Sequence, residues 1–268
     1  MLLIIQALLL ISAALGQDHR AAVEGQTFPL DMAPNSVDDQ YEGCRGKMAD
    51  QVEKKYMKQE MSNPETKFAN AWKLAEKNYK PPGDKLTKDH SISIYVYTNS
   101  DTGLYKDFND ADRKDKERYK NETYKWYSLH FLLTDAIQML KKTQKKCYTT
   151  YRGTNIEFEQ NVLRKNICFG SFTSLSINSR VTEGFGSKSC FEIYTCEGAD
   201  VIKYSKYPEQ KEVLIPPYET FKVTAVKTKR NQKDLWCHTV FSLKSSGKRS
   251  NLNCDLFKKP TNTMLSIE

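Results

Sequence analysis

Residues 147–153 read CYTTYRG, and they begin a series of short β-type segments that fills the second half of the sequence. The later segments are CFGSFTSLS at 168–176, SCFEIYTC at 189–196, ADVIKYS at 199–205, EVLIPP at 212–217, ETFKVTAV at 219–226 and LWCHTVFSL at 235–243. β-Branched and aromatic residues are frequent in them, and Gly, Asn, Ser and Lys separate them. The pattern predicts a β-rich part over about residues 147–258.

The preceding part of the sequence, about residues 33–146, has the periodicity of helices. Two sets of apolar residues recur at the spacing of one helix face: Phe68, Trp72, Ala75 and Tyr79, then Leu129, Leu133, Ala136, Ile137 and Leu140. Residues 91–98, SISIYVYT, are rich in β-branched residues yet lie among helical segments, so their structure stays open. Helices followed by strands, with no linker between them, predict one α+β domain over residues 17–268 with a shared core.

The composition is that of a globular chain with a moderate positive charge. The 268 residues include 41 Lys and Arg against 33 Asp and Glu, which gives a formal net charge of +8. Collagen, coiled coil and general disorder are excluded. The charge favours acidic partners such as phosphates but is too small for a nucleic-acid-binding tail, so we expect no nucleic acid partner. The basic stretch 227–233, between two strand-like runs, predicts a solvated hairpin tip.

The N-terminus indicates export. Residues 1–16, MLLIIQALLLISAALG, contain no charged side chain and end in the small residues that signal peptidase reads. They are shorter than the roughly 20 residues that span a bilayer, so we expect a cleaved signal peptide and a mature chain from Gln17. The C-terminal residues TNTMLSIE lack the hydrophobic tail of a lipid-anchor signal. We therefore expect a secreted, extracellular protein without a membrane anchor.

The seven cysteines suit an oxidising compartment. An exported chain pairs its thiols, so an odd number predicts disulfides plus one free cysteine. No Cys-x-x-Cys motif occurs, and the four histidines are scattered along the chain. Zinc needs closely spaced ligand pairs, so we expect no metal. The sequon Asn121-Glu122-Thr123 predicts glycosylation at Asn121, as suits a secreted surface.

Three segments of the β-rich part carry polar groups that a buried strand does not normally hold. Arg152 follows a strand-like run, where a guanidinium is either paired within the structure or kept to hold an anion such as a pyrophosphate. Ser174 and Ser176 alternate with Leu175, which is also the pattern of an ordinary polar sheet face. Glu212 begins the apolar run VLIPP and is either an exposed strand end or a partly desolvated catalytic carboxylate.

In their order, these segments resemble the signature of the secreted and surface-bound mono-ADP-ribosyltransferases, which is an Arg, then Ser-x-Ser, then Glu-x-Glu. Other landmarks of that family run along nearly the whole mature chain: LDMAPN at 30–35, HFLLTDA at 130–136, TCEGA at 195–199, EVLIPP at 212–217 and NC at 253–254. The resemblance implies the ADP-ribosyltransferase fold, with a helical part packed on a β-rich part that binds NAD. It also implies NAD as the substrate and no metal.

The resemblance assigns a role to each matching residue. Arg152 is expected to grip the NAD pyrophosphate and ribose, which suits a planar donor fork that is always charged. Ser174 is expected to hold the nicotinamide side of the pocket and to orient Glu212. Phe185 matches an aromatic residue that packs on the nicotinamide, and Ser205 matches a serine close to NAD. Glu212 matches the catalytic glutamate, which stabilises the positive charge as the N-glycosidic bond breaks.

One position departs from the family pattern. Arginine-modifying members have Glu two residues before the catalytic Glu, whereas this chain has Gln210. A guanidinium has a pKa above about 12 and must be bound and deprotonated to act as a nucleophile, which a neutral amide does poorly. Gln at this place occurs in members that mainly hydrolyse NAD and in related bacterial toxins that modify asparagine. Glu209 is adjacent, but on an extended segment neighbouring side chains point to opposite sides.

The resemblance also assigns two disulfides. Cys147 and Cys196 match a family pair that ties the arginine strand to the segment leading into the catalytic loop. Cys44 and Cys254 match a second pair, which closes a long loop. Three cysteines have no counterpart: Cys168, Cys190 and Cys237. Two of these three are expected to bond and to leave one free thiol.

Three functions follow as hypotheses. The first is an exported enzyme that cleaves the nicotinamide bond of NAD and transfers ADP-ribose to a protein side chain, most often arginine in the family. The second is predominant NAD glycohydrolase activity, with water as the acceptor, because of Gln210. The third is a secreted binding protein that keeps the fold without catalysis. The joint presence of Arg152, Ser174 and Glu212 favours the two enzymatic hypotheses.

Overall fold

The computed structural model describes residues 26–258, so the expected signal peptide at 1–16 and residues 259–268 lie outside the described residues. Helices come first along the described chain, as the periodicity predicted. Their bounds are Arg45–Gln51 (α1), Met57–Met61 (α2), Lys67–Asn78 (α3), Lys88–Thr98 (α4), Leu104–Lys114 (α5), Lys116–Lys120 (α6) and Tyr127–Gln144 (α7). A π-helical turn, Val52–Tyr56, joins α1 to α2.

The strands lie mostly after residue 147. Their bounds are Thr27–Phe28 (β1), Tyr148–Thr154 (β2), Glu157–Phe158 (β3), Asn166–Cys168 (β4), Thr173–Ser176 (β5), Ser189–Thr195 (β6), Ala199–Asp200 (β7), Glu212–Ile215 (β8), Glu219–Thr228 (β9) and Thr239–Lys248 (β10). A short helix, Ser179–Thr182 (α8), interrupts them. The α+β class predicted from the sequence is confirmed.

Eight of these strands form one mixed sheet in the order β4-β9-β10-β6-β2-β5-β8-β7. Neighbours pair antiparallel except β10 and β6, which pair in parallel. The short strands β1 and β3 form a separate parallel pair. The adjacent strands β2, β5 and β8 bring together the three segments that the sequence singled out for their polar residues.

Residues 91–98, whose structure the sequence left open, lie within helix α4. Thr87 caps the helix: its side chain accepts a hydrogen bond from the backbone N–H of His90, and the His90 ring accepts from the Thr87 N–H. Every residue from His90 to Thr98 is buried. A helix that is buried on all sides shows no helical period in its apolar residues, so the sequence pattern gives no sign of it. Tertiary packing made this segment helical in spite of its β-branched residues.

The helical layer packs on the sheet through one large apolar core. Helices α3, α4 and α7 supply about half of its buried residues, and Phe172 and Leu214 extend it to the strands. Asp135 of α7 ties two helices together, because it accepts hydrogen bonds from Arg45 at 2.7 Å and pairs with His90 at 2.9 Å. Although burial opposes it, these two partners hold the pKa of Asp135 below its usual value. Helix α4 is therefore held against helix α7.

Three disulfides link distant parts of the described chain. Cys44–Cys254 joins residues 210 positions apart, Cys147–Cys196 joins the start of β2 to the end of β6, and Cys190–Cys237 joins β6 to the segment before β10. Cys168 is the one free cysteine, and burial raises the pKa of its thiol to about 12, so it stays protonated and unreactive. The sequence left open which two of the last three cysteines would bond.

Peptide mapping without reduction tests this arrangement. We expect the three linked peptide pairs Cys44–Cys254, Cys147–Cys196 and Cys190–Cys237, with only Cys168 alkylated after denaturation. Removal of Cys44–Cys254, which closes the longest loop, should lower the free energy of unfolding by roughly 4–5 kcal/mol in the chain-entropy model. Cys168 recovered in a disulfide with Cys190 or Cys237 would contradict the packing of the β6–β10 region.

Candidate active site

Strand pairing brings Arg152, Ser174 and Glu212 onto three adjacent strands. Strand β2 pairs with β5 at Tyr151 and Ser176, and β5 pairs with β8 so that Ser176 lies opposite Glu212. Residues separated by 60 positions in the sequence therefore lie next to each other because of the register of two short antiparallel pairs. The structure places these three predicted site residues together.

Arg152 lies partly buried on β2, with its guanidinium against the next strand. Its Nη1 donates a hydrogen bond to the backbone carbonyl of Ser174 at 2.8 Å. This contact fixes the direction of the planar donor fork, which carries five N–H groups and a permanent charge. A fork held in place is suited to receive an anion with two adjacent oxygens, such as a phosphate.

Glu212, at the start of β8, is almost completely removed from water, with 1% of its surface exposed. The Ser205 hydroxyl donates to its Oε2 at 3.3 Å, and the Ser174 side chain also hydrogen-bonds to it. Burial raises the pKa of Glu212 to about 7, against the opposing effect of both serines and of the Arg152 charge. A carboxylate with such a pKa, in a polar niche, is typical of a catalytic group.

Tyr97 connects the helical layer to this niche, and the sequence analysis did not identify it. Its hydroxyl donates to the carbonyl of Phe172 at 2.9 Å and accepts from the Asn109 amide at 3.1 Å. The Ser174 side chain hydrogen-bonds to the same hydroxyl. Burial, reinforced by the Glu212 charge, raises the pKa of Tyr97 above its usual value. Its sequence signal was weak, because it lies in the segment whose structure stayed open.

The segment before Glu212 is a tight turn and not the extended stretch that the sequence analysis assumed. Pro208–Gln210 form a 3₁₀ turn, and Lys211 takes a left-handed conformation with φ of 49°. The Ser176 hydroxyl donates to the carbonyl of Gln210 at 2.7 Å, which anchors the turn to β5. Gln210 is buried and Glu209 is exposed, so the two side chains point in different directions, as expected. The cause is the 3₁₀ turn and not an extended backbone.

Phe185 lies in the 3₁₀ turn Glu183–Phe185, which contacts β2. The approach is close because both backbones lack side chains there: a Cβ on Gly153 would lie 2.5 Å from the carbonyl oxygen of Gly186. Gly186 also has φ of 128°, which other residues rarely adopt. The glycine pair thus holds the buried Phe185 close to strand β2, which carries Arg152.

Asn121, the predicted glycosylation site, is exposed.

The geometry combines a fixed cation, a hydroxyl pair and a desolvated carboxylate within one niche. Arg152 offers positive charge for an anionic group, whereas Glu212 offers negative charge for a developing cation a few ångströms away. Among residues 26–258, no group of three or more His, Cys, Asp or Glu side chains is placed to hold a metal ion. No helix within these residues is long and apolar enough to cross a membrane.

The comparisons with known proteins place this site in a defined context. The family model described as NAD:arginine ADP-ribosyltransferase matches residues 30–250. NAD(P)(+)--arginine ADP-ribosyltransferase 2 of Gallus gallus is 33% identical over 94% of this chain and 80% of its own. Ecto-ADP-ribosyltransferase 5 of Bos taurus is 33% identical over 93% of this chain and 84% of its own.

A solved structure has the same fold over most of this chain. The crystal structure of the eucaryotic mono-ADP-ribosyltransferase ART2.2 superposes with a TM-score of 0.70 at 31% identity, over 86% of this chain and all of that one. A mutant of the same enzyme in complex with NADH gives a TM-score of 0.69. The sequence-based resemblance is confirmed at the level of family and fold.

The burial of Glu212 predicts an unusual effect of Glu212→Gln on stability. Between pH 4.5 and about 7 the folded protein retains a proton that the unfolded chain releases, so wild type loses stability as the pH rises. The variant has no carboxylate to ionise. The free energy of unfolding of the variant minus that of wild type should therefore be about 3 kcal/mol larger at pH 8 than at pH 4.5.

Urea unfolding at both pH values measures this gap, and Glu209→Gln, at an exposed carboxylate nearby, is the matched control. A gap between Glu212→Gln and wild type that is the same at both pH values would show that the folded structure does not penalise the carboxylate charge.

Proposed function

The chain belongs to the NAD:arginine ADP-ribosyltransferase family, and we propose that it is an exported mono-ADP-ribosyltransferase which cleaves the nicotinamide–ribose bond of NAD and transfers ADP-ribose to a protein arginine. The observation that carries the proposal is the buried Glu212 carboxylate, held by the hydroxyls of Ser174 and Ser205, with Arg152 two strands away across β5. Relatives are named for arginine and for NAD or NADP, which supports the same donor and acceptor here.

The donor is held mainly by charge. NAD carries a diphosphate between its two riboses, and the fork of Arg152 can bond to diphosphate and ribose oxygens together. Its bond to the carbonyl of Ser174 keeps the fork from rotating away. Phe185, in the 3₁₀ turn that contacts β2, is the aromatic residue expected to pack on the nicotinamide ring. Binding in this way places the glycosidic bond near Glu212.

Bond cleavage is the step that needs Glu212. As the bond between ribose and nicotinamide breaks, its electron pair goes to the nicotinamide nitrogen and positive charge develops on the ribose. The Glu212 carboxylate accepts a hydrogen bond from a ribose hydroxyl and stabilises that charge electrostatically. Because the niche is already dry, the attraction is not weakened by water. Ser174 and Ser205 keep the carboxylate in position.

The acceptor step completes the reaction. A nitrogen of the arginine side chain attacks the ribose carbon from which nicotinamide has left, a new C–N bond forms, and that nitrogen loses a proton to solvent. Gln210, on the turn just before Glu212, lies where arginine-modifying relatives are expected to place a carboxylate that holds the guanidinium. A neutral amide in that position favours a second candidate function, NAD glycohydrolase activity, in which water attacks and free ADP-ribose leaves.

Export is supported by two observations. The described chain contains three disulfides, which form in oxidising compartments. Two relatives are named as GPI-linked or as ecto-enzymes. We propose the secreted form of such an enzyme, with glycosylation at the exposed Asn121. Extracellular NAD and exposed arginines of surface or secreted proteins would then be its substrates.

Loss of the carboxylate tests the reaction itself. Glu212→Gln should lower nicotinamide release from NAD on the order of 10²-fold or more, because a preorganised charge is removed from the transition state. Glu209→Gln, on the exposed side of the same turn, should retain nearly full activity. Nicotinamide is quantified by chromatography on purified mature protein, with circular dichroism as the folding control. Equal activity of the two variants would refute the assignment, and an inactive wild type would support a binding protein on this fold.

Gln210 tests the choice between transferase and hydrolase. Gln210→Glu adds a carboxylate of nearly the same size, so ADP-ribosyl transfer to a simple guanidine compound should rise relative to hydrolysis, with NAD affinity little changed. The measurement compares nicotinamide released with ADP-ribosyl-guanidine formed. A wild type that already transfers with no excess hydrolysis, and a variant that adds nothing, would eliminate the hydrolase candidate and assign the acceptor role to another group.

A further inference from the structure

One hairpin that the proposed reaction does not use carries much of the net positive charge of this protein. Residues 219–248 include seven basic and two acidic residues, which is a net charge of +5 against +8 for the whole chain. The basic residues are Lys222, Lys227, Lys229, Arg230, Lys233, Lys244 and Lys248. They lie on β9, on β10 and on the connection between them.

Two of these lysines face each other across the strand pair. Lys222 of β9 and Lys244 of β10 are direct register partners, and both side chains are exposed. Like charges directly opposite in an antiparallel pair are destabilising, so folding alone gives no reason for this choice. Neither lysine has an acidic partner within 4 Å among residues 26–258, and only Lys227 of the hairpin approaches a carboxylate, that of Glu192 at 3.9 Å.

The connection of the hairpin is held in place. The basic stretch 227–233 leaves the end of β9 and is largely exposed, as expected for a hairpin tip. The disulfide Cys190–Cys237 then ties the returning chain to β6, and a small apolar cluster with Val240 and Trp236 packs around it. This disulfide involves two of the three cysteines for which the family resemblance gave no partner. The disulfide restricts the backbone that carries the basic residues, so less conformational entropy is lost when a ligand binds.

A cavity of about 740 Å³ lies beside the tip. Its lining includes Lys188, Lys229, Arg230 and His238, with Glu157 as the one carboxylate, and the rest of the lining is mainly amide and hydroxyl groups. Strand β6 separates β9 and β10 from β2, so this region is distinct from the niche around Glu212. Side chains alternate along a strand, so Thr239 and Ser189, which line this recess, lie on the opposite face of the sheet from Lys244 and its partner Lys222. The recess and the strand cations meet only at the tip, at Lys229 and Arg230.

From these observations we propose that the basic face, defined as Lys222, Lys227, Lys229, Arg230 and Lys244, binds a sulfated polysaccharide chain. The cations follow strands of ten residues, a length of about 33 Å, which suits a linear polyanion. Tyr194, the register partner of Lys244, is 43% exposed and offers an aromatic face for a sugar ring.

Two other polyanionic surfaces fit less well. A lipid bilayer is gripped by apolar side chains together with cations, but residues 227–233 include no apolar side chain, so the tip has nothing to insert. Single-stranded nucleic acid requires a series of stacking aromatics, whereas Tyr194 is the one large exposed aromatic side chain among residues 26–258. Three disulfides also point to the oxidising exterior, where sulfated polysaccharides occur.

The experiment compares two variants that lose the same charge. The first changes Lys222, Lys229, Arg230 and Lys244 to Gln, and the control changes four exposed lysines of the helical part, Lys58, Lys73, Lys77 and Lys80, to Gln. Binding to a size-defined heparin oligosaccharide is measured by calorimetry at several salt concentrations. We expect the affinity of the first variant to fall at least about tenfold with a shallower salt dependence, and that of the control to change less than about twofold.

Folding and ligand class are checked in the same series. The single variant Lys222→Gln should unfold at no lower temperature than wild type, because it removes a like-charge pair. Desulfated heparin should not bind, and phosphatidylserine vesicles and single-stranded DNA should bind more weakly than heparin at equal salt. An equal loss of affinity in both quadruple variants, retained affinity for desulfated heparin, or tighter binding to vesicles or DNA would overturn the proposal. Nicotinamide release should be unchanged in the basic-face variant, so this outcome is independent of the proposed reaction.

Discussion

The buried carboxylate of Glu212 is the feature on which the rest of the site depends. An isolated charge in a dry niche is costly, so its surroundings must supply hydrogen bonds without admitting water. Ser174 and Ser205 supply them, and the charge of Arg152 lies two strands away, across β5. The three strands that carry these groups pair only over short stretches, which makes the register of β5 on β8 decisive.

The helical layer contacts that niche directly. Tyr97 from α4 bonds to the carbonyl of Phe172 and to the Ser174 side chain, so a buried helix contacts the site through a hydroxyl. Helix α4 is itself anchored by the bond between His90 and Asp135. Packing in the helical part and chemistry in the sheet are therefore coupled, since a shift of α4 would move the hydroxyl that orders Ser174.

Donor binding, acceptor choice and surface charge are separated within one fold. In the proposed reaction Arg152 and Glu212 act on the donor and the turn at Gln210 lies on the acceptor side, whereas the basic hairpin lies beyond β6. The disulfides divide in a similar way: Cys147–Cys196 stabilises the strands of the site, whereas Cys190–Cys237 stabilises the hairpin. A hairpin bound to a polyanion would thus leave the niche accessible to NAD.

The sequence by itself determined the α+β class, the positions of α3 and α7, and the identity of Arg152, Ser174 and Glu212 as a set. These features depend on local periodicity and on a motif in which residue type and order suffice. Tertiary structure decided the helical state of α4, the role of Tyr97 and the opposition of Lys222 and Lys244. A fully buried helix has no amphipathic period, and cross-strand partners far apart in sequence meet only through register, which a linear pattern does not encode.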